Sequence, residues 1–173
     1  MRSKHVSVFV LVALTALVSG CGGSAGSAEP GSKIGAMRLL RGTTSQADLK
    51  LFDSCNPVIL RSGRRRRSCH VPHVQRLFIG YGIFEPTRRG LARDWRRTRW
   101  DLWVDGHRVD LPAFGTDDRT LYAFPPAAGK DVILREWDVI LLNATPGKHE
   151  LRYRSGSGSA ATTDATWAFV VAR

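Results

Sequence analysis

Along the chain, apolar residues come in short runs that alternate with polar ones and stop at Gly, Pro, Asp or Asn. Alternation over four to eight residues is the mark of half-buried strands. It predicts strands near Asp48 to Phe52, Pro57 to Arg61, Arg76 to Phe84, Arg99 to Val104, His107 to Leu111, Thr120 to Phe124, Val132 to Leu142, Lys148 to Tyr153 and Thr166 to Val171. A period of 3.6 stands out at Thr87 to Arg97, where Thr87 suits an N-cap and Leu91 and Trp95 lie four apart on one face. In Val132 to Leu142 the apolar phase switches between Leu134 and Trp137, which predicts a bulge at Arg135 or Glu136; the same residues also match a helix. About nine short strands and one short helix predict an all-β fold, a β-sandwich.

The sharpest local signal is the stretch WDLWVDGHRVDL. Asp105 and Gly106 suit a two-residue turn with positive φ at both positions. The register that follows pairs Val104 with His107, Leu102 with Val109 and Trp100 with Leu111, so one face is almost wholly apolar and belongs to the core. On the other face Trp103 stands opposite Arg108, and Asp101 opposite Asp110. Near the end, TPGKHELRY sets a Pro-Gly turn before alternating His149, Leu151 and Tyr153, and the last run carries Trp167, Phe169 and Val171. This terminal pair resembles bacterial immunoglobulin-like sandwich modules, and the resemblance implies that fold class and nothing about function.

The first residues follow a different pattern. Arg2 and Lys4 precede an apolar run from Val6 to Val18, broken only by Ser7 and Thr15, and then come Ser19 and Gly20. Charge, apolar core and small residues in that order make a secretory signal. The run is shorter than the roughly 20 residues that cross a bilayer. Val18, Ser19, Gly20 and Cys21 resemble the lipobox of bacterial lipoproteins. That resemblance implies cleavage between Gly20 and Cys21 and acylation of Cys21. Two or three acyl chains at about 0.8 kcal/mol per buried methylene make such attachment effectively permanent. It also implies a place on the extracytoplasmic side, at the outer membrane or the outer face of the plasma membrane.

The chain then divides into a signal peptide at 1–20, the lipidated Cys21 with a flexible Gly/Ser/Ala tether over 21–36, and one domain at 37–173. With Cys21 assigned to lipid, Cys55 and Cys69 remain, and in an exported chain a disulfide is the expected outcome. A Cys/His metal site made with His70 and His73 is the alternative, although zinc signatures normally bring a second close ligand pair. No cofactor is expected.

The chain has 26 Lys and Arg against 15 Asp and Glu, a formal charge of +11 that becomes +9 once Arg2 and Lys4 leave with the leader. Charge is densest at Arg64, Arg65, Arg66 and Arg67, inside the loop that the disulfide would close. A solvated loop is the plain reading of such a run. Beside an anionic surface each arginine would contribute on the order of 1 kcal/mol, so the run is also a candidate for anionic lipid or envelope polymer. RRGLARDWRRTRW interleaves Trp95 and Trp100 with arginines as nucleic-acid surfaces do, but export argues against nucleic acid as the partner.

Asp101, Trp103, Arg108 and Asp110 form a candidate ligand face: arginines could offset the two carboxylates, with Trp103 under Arg108, or Asp101 and Asp110 could hold calcium. No nucleophile elbow, H-E-x-x-H or P-loop is present, and Ser157 sits in a Ser/Gly loop. Asp101 and Asp110 are the sole carboxylate pair suggested for a hydrolase. The sequence therefore predicts a lipid-anchored envelope protein that acts as a binding module. An accessory role docking another envelope protein is the first alternative and a hydrolase the second.

Overall fold

The computed structural model describes residues 26–55, 65–157 and 163–173. In chain order the strands are β1 (Lys33–Ile34), β2 (Met37–Arg41), β3 (Leu49–Lys50), β4 (Arg65–Val71), β5 (Arg76–Phe78), β6 (Gly82–Glu85), β7 (Thr98–Val104), β8 (His107–Val109), β9 (Thr116–Phe124), β10 (Lys130–Trp137), β11 (Val139–Leu142), β12 (Gly147–Ser157) and β13 (Thr163–Val171). The helices among them are α1 (Leu51–Ser54), α2 (Arg88–Arg97) and α3 (Leu111–Phe114).

One five-stranded sheet runs β1-β2-β11-β5-β3 and a second runs β4-β13-β12-β7-β8; β6-β10-β9 form a smaller third. Leu39, Leu77, Val139 and Leu141 of the first sheet share a buried cluster with Leu102, Val104, Leu151, Tyr153, Trp167 and Phe169 of the second. Each such side chain stabilises the fold by roughly 1.5–3 kcal/mol relative to exposure. The fold is all-β and sandwich-like with a short helix, as the alternation predicts.

The hairpin turns where the sequence puts it. Asp105 and Gly106 have φ of 47° and 78°, and Leu102 pairs with Val109, Trp103 with Arg108 and Val104 with His107. Strand β8 stops at Val109, however, because Pro112 has no N–H for a ladder and instead opens the single turn α3. The expected pairs Trp100–Leu111 and Asp101–Asp110 therefore do not form; the Asp110 amide bonds the carbonyl of Ala28.

Two predicted long strands are each cut in two at one place. Arg76 to Phe84 divides into β5 and β6 around Gly80, and Val132 to Leu142 divides into β10 and β11 at Asp138. Both halves cross together from the first sheet into the small one. The expected bulge at Arg135 or Glu136 is absent: pairing of β10 with β9 is regular from Val132 to Trp137, and the register shifts between Lys130 and Val132 instead. The helical alternative for this segment gives way to strand.

Other departures have simple causes. Leu51, expected in a strand, starts α1, which buries it and brings Cys55 toward β4. Residues 28–36, expected in the tether, join the fold: Ala28 bridges Val109, and Ile34 is buried opposite Met37. The predicted strand at Pro57 to Arg61 lies outside the described residues. Helix α2 matches expectation, with the Thr87 hydroxyl accepting the Gly90 amide at 3.1 Å and Leu91 buried. No helix among the described residues is long and apolar enough to cross a membrane.

Candidate functional site

The outer face of the hairpin is neutralised from within the sheet. Arg108 donates to Asp101 at 2.7 Å, and Arg152, brought beside Trp103 by the register of β12 with β7, lies over the Trp103 ring at 5.1 Å. Arg152 also grips Asp164 of β13 through two bonds of 2.8 and 2.6 Å. The cation over Trp103 is thus Arg152, where the sequence suggests Arg108. Trp103 is half-buried and outside the core cluster of the described residues. With Asp110 beyond the end of β8, Asp101 and Asp110 are not paired across the strands, and Asp101 is engaged by Arg108 instead. Among the described residues, no three His, Cys, Asp or Glu side chains are grouped to hold a metal.

Cys55 and Cys69 are joined as a disulfide across a Cα separation of 5.6 Å. Both sulfurs are therefore unavailable as thiolate ligands, and the Cys/His metal alternative falls. Arg65, Arg66 and Arg67 lie on β4, an edge strand that pairs in parallel with β13, where the sequence reading has a loop; Arg64 lies outside the described residues. Cys21 does as well.

One constellation that the sequence does not suggest looks catalytic at first. His149 Nδ1 is 2.8 Å from Asp105 Oδ2, and its Nε2 is 3.4 Å from the Thr145 hydroxyl. Nε2, though, is 2.7 Å from the Thr145 carbonyl and donates there, leaving no base for the hydroxyl. The His149 side chain is only 8% exposed and stacks on Phe169. This is a clamp that ties the hairpin turn to the start of β12. Asp105 adds a bond from the Glu150 amide at 2.8 Å. Burial of Asp105 opposes its charge, but the bonds from His149 and Glu150 outweigh it and hold its carboxyl below the usual range. The Asp105 bond outweighs burial at His149 and raises the imidazole.

Two hollows and a dense set of charges surround α2. A cleft of about 530 Å³ opens between β6, the second half of α2 and the beginning of β7. Tyr81, Phe84 and Trp100 supply aromatic wall; Glu85, Asp94, Arg97, Thr98 and Ser155 supply polar groups. The Glu85 carboxyl lies beside Asp94, which Arg93 clamps with bonds of 2.6 and 3.0 Å. Partial burial, then Asp94 beside it, raise Glu85, whereas the Arg93 bonds lower Asp94. The Trp100 indole N–H is buried and has no acceptor among the described residues.

A second hollow of about 570 Å³ lies against the first half of the helix, lined by Glu85, Arg89, Arg93 and Arg96 with Pro86, Thr87 and Gly90. Helix α2 carries five arginines and one aspartate in ten residues. Arg89, Arg96 and Arg97 are exposed and make no ion pair within 4.0 Å among the described residues, and Arg88 reaches Asp118 only at 4.0 Å. The sequence shows the arginines of this helix but not the Glu85–Asp94 pair, whose members lie in different elements and match no motif. No protein-family model, curated protein or solved structure matches the chain.

Proposed function

We propose that this chain is a lipid-anchored protein of the bacterial envelope whose domain binds anionic envelope components, and that helix α2 is its contact surface. The observation that carries the reading is the run of exposed guanidinium groups on α2, of which Arg89, Arg96 and Arg97 make no ion pair within 4.0 Å among the described residues. Arginine forks suit phosphate and carboxylate groups in two-bond geometry. Held by Cys21 next to a charged bilayer, each arginine within a Debye length would add on the order of 1 kcal/mol. The anchor itself rests on the lipobox resemblance at Val18 to Cys21. The run Arg64 to Arg67, of which Arg65 to Arg67 belong to the edge strand β4, is proposed as a second contact. An accessory role, docking another envelope protein, is the first alternative, and a hydrolase using Asp101 and Asp110 the second.

The test uses a Cys21→Ser chain and vesicles with or without anionic lipid, at low and high salt. Binding should need anionic lipid and fall steeply with ionic strength. Replacing Arg89 and Arg96 with Ser should weaken it about thirtyfold on the same per-residue figure. Replacing Arg64 to Arg67 with Ser measures the second contact separately. Binding that ignores salt and both replacements would overturn the reading. Labelling of the unaltered chain with a palmitate analogue, abolished by Cys21→Ser, tests the anchor.

A further inference from the structure

We propose that the cleft between β6, α2 and β7 is a binding site for a neutral saccharide ring. The cleft is within the range of small-molecule sites, about 300–1,000 Å³. Its polar groups select by exclusion. Glu85 and Asp94 repel an anion, while Arg93 and Arg97 beside them repel a cation. What remains is an uncharged ligand rich in hydroxyl groups. The Glu85 and Asp94 carboxyls offer several acceptor lone pairs to adjacent hydroxyls, and the Ser155 hydroxyl can both donate and accept.

Tyr81 and Trp100 add amphipathic aromatic surface, on which the C–H face of a sugar ring packs. Their rings are held in place by a cluster: Tyr81 touches Phe52, Tyr153 and Trp167, and Trp100 touches Trp95 at 5.2 Å. This proposal requires neither the lipid anchor nor the anion surface, since apart from Glu85 the cleft and the arginine hollow have different linings.

The test titrates the Cys21→Ser chain with two probes, a glucose trimer and an N-acetylglucosamine trimer, followed by tryptophan fluorescence and calorimetry. Saturable binding of at least one is expected, unchanged between low and high salt because the ligand is neutral. That salt response separates this site from the anion surface. Glu85→Gln keeps the side chain's size while replacing one carboxylate acceptor with a donor, and should weaken binding about tenfold. Should that variant prove unstable, amide shifts in the unaltered chain provide the second readout: on adding sugar they should move at Tyr81, Trp100 and Ser155. No saturation by either trimer, saturation instead by sodium phosphate or tetramethylammonium, or shifts confined to other residues would each overturn the proposal.

Discussion

Replacing Asp105 with Asn isolates the charge of the clamp while leaving its shape. Asn tolerates the left-handed conformation that Asp105 adopts at φ 47°, so the turn survives. Its amide oxygen can still accept from the Glu150 amide, and its NH2 can donate to His149 Nδ1. That arrangement requires a neutral ring protonated at Nε2, which keeps the bond to the Thr145 carbonyl. The native pair favours the doubly protonated ring, and the variant favours the neutral one. The substitution therefore exchanges a charge-assisted bond at a nearly buried imidazole for a neutral one, a loss of about 1–2 kcal/mol.

The sign fixes the pH at which this appears. His149 is raised in the folded state, so its contribution is complete below the unfolded value near 6.5 and disappears as pH rises through the folded value. Asp105 is lowered, so its contribution is present above about 3.9 and fades as pH falls through the folded value. The clamp is strongest between those limits. Asp105→Asn should lower the melting temperature by roughly 3–8 °C near pH 5.5 and by much less above pH 8. Imidazole resonances in an NMR titration should show His149 above the free value in the native chain and below it in the variant. A native His149 that titrates at or below the free value, or a melting loss that does not change with pH, would refute the reasoning.

Two further predictions concern stability. Replacing Cys55 and Cys69 together with Ala should cost about 3 kcal/mol in urea unfolding, the chain-entropy value for a separation of 14 residues. Gly82→Ala should be among the most damaging small substitutions, because its Cβ would overlap the Arg135 carbonyl, a backbone atom that cannot turn aside. A loss of about 1–3 kcal/mol is expected by urea denaturation, together with loss of order in β6 by amide exchange.

What the sequence discloses here is mostly what one segment decides by itself. The Asp105–Gly106 turn, the Thr87 cap and the alternation of Leu151, Tyr153, Trp167 and Phe169 are local, and each has the predicted form. Strand β4 is the opposite case. Its sequence, RRRSCHV, has little apolar alternation, and it becomes a strand because β13 offers an unpaired edge. Trp103 under Arg152 joins residues almost fifty positions apart through the register of β7 with β12. The same holds for His149 with Asp105 and for Glu85 with Asp94, since neither pair shares an element.

The cleft itself follows from the joint in the two cut strands. At Gly80 and Gly82 a side chain would strike the carbonyls of Trp137 and Arg135, so glycine there allows the two strand segments to run against each other while leaving the sandwich. Backbone bonds hold the crossing: Ile79 to Val139, Trp137 to Tyr81, Asp138 to Gly115 and Gly42 to Asp138. The Tyr153 hydroxyl, donating to the Ile79 carbonyl at 3.0 Å, ties the opposite sheet to the same point. Glu136 and Asp138 are buried at this crossing, and burial raises both carboxyls despite Arg119 beside the first and Arg41 near the second. Two buried acids are a poor choice for stability alone, since an imperfectly paired buried charge destabilises. Bending the strand pair away leaves an open corner of the sandwich. Trp95 of α2 fills part of it against Trp100 and Trp137, and the unfilled remainder is the space lined by Tyr81, Glu85 and Ser155. Straightening the joint would close that space, so Gly80 and the buried acids shape the proposed site from outside it, while Gly82 forms part of its wall.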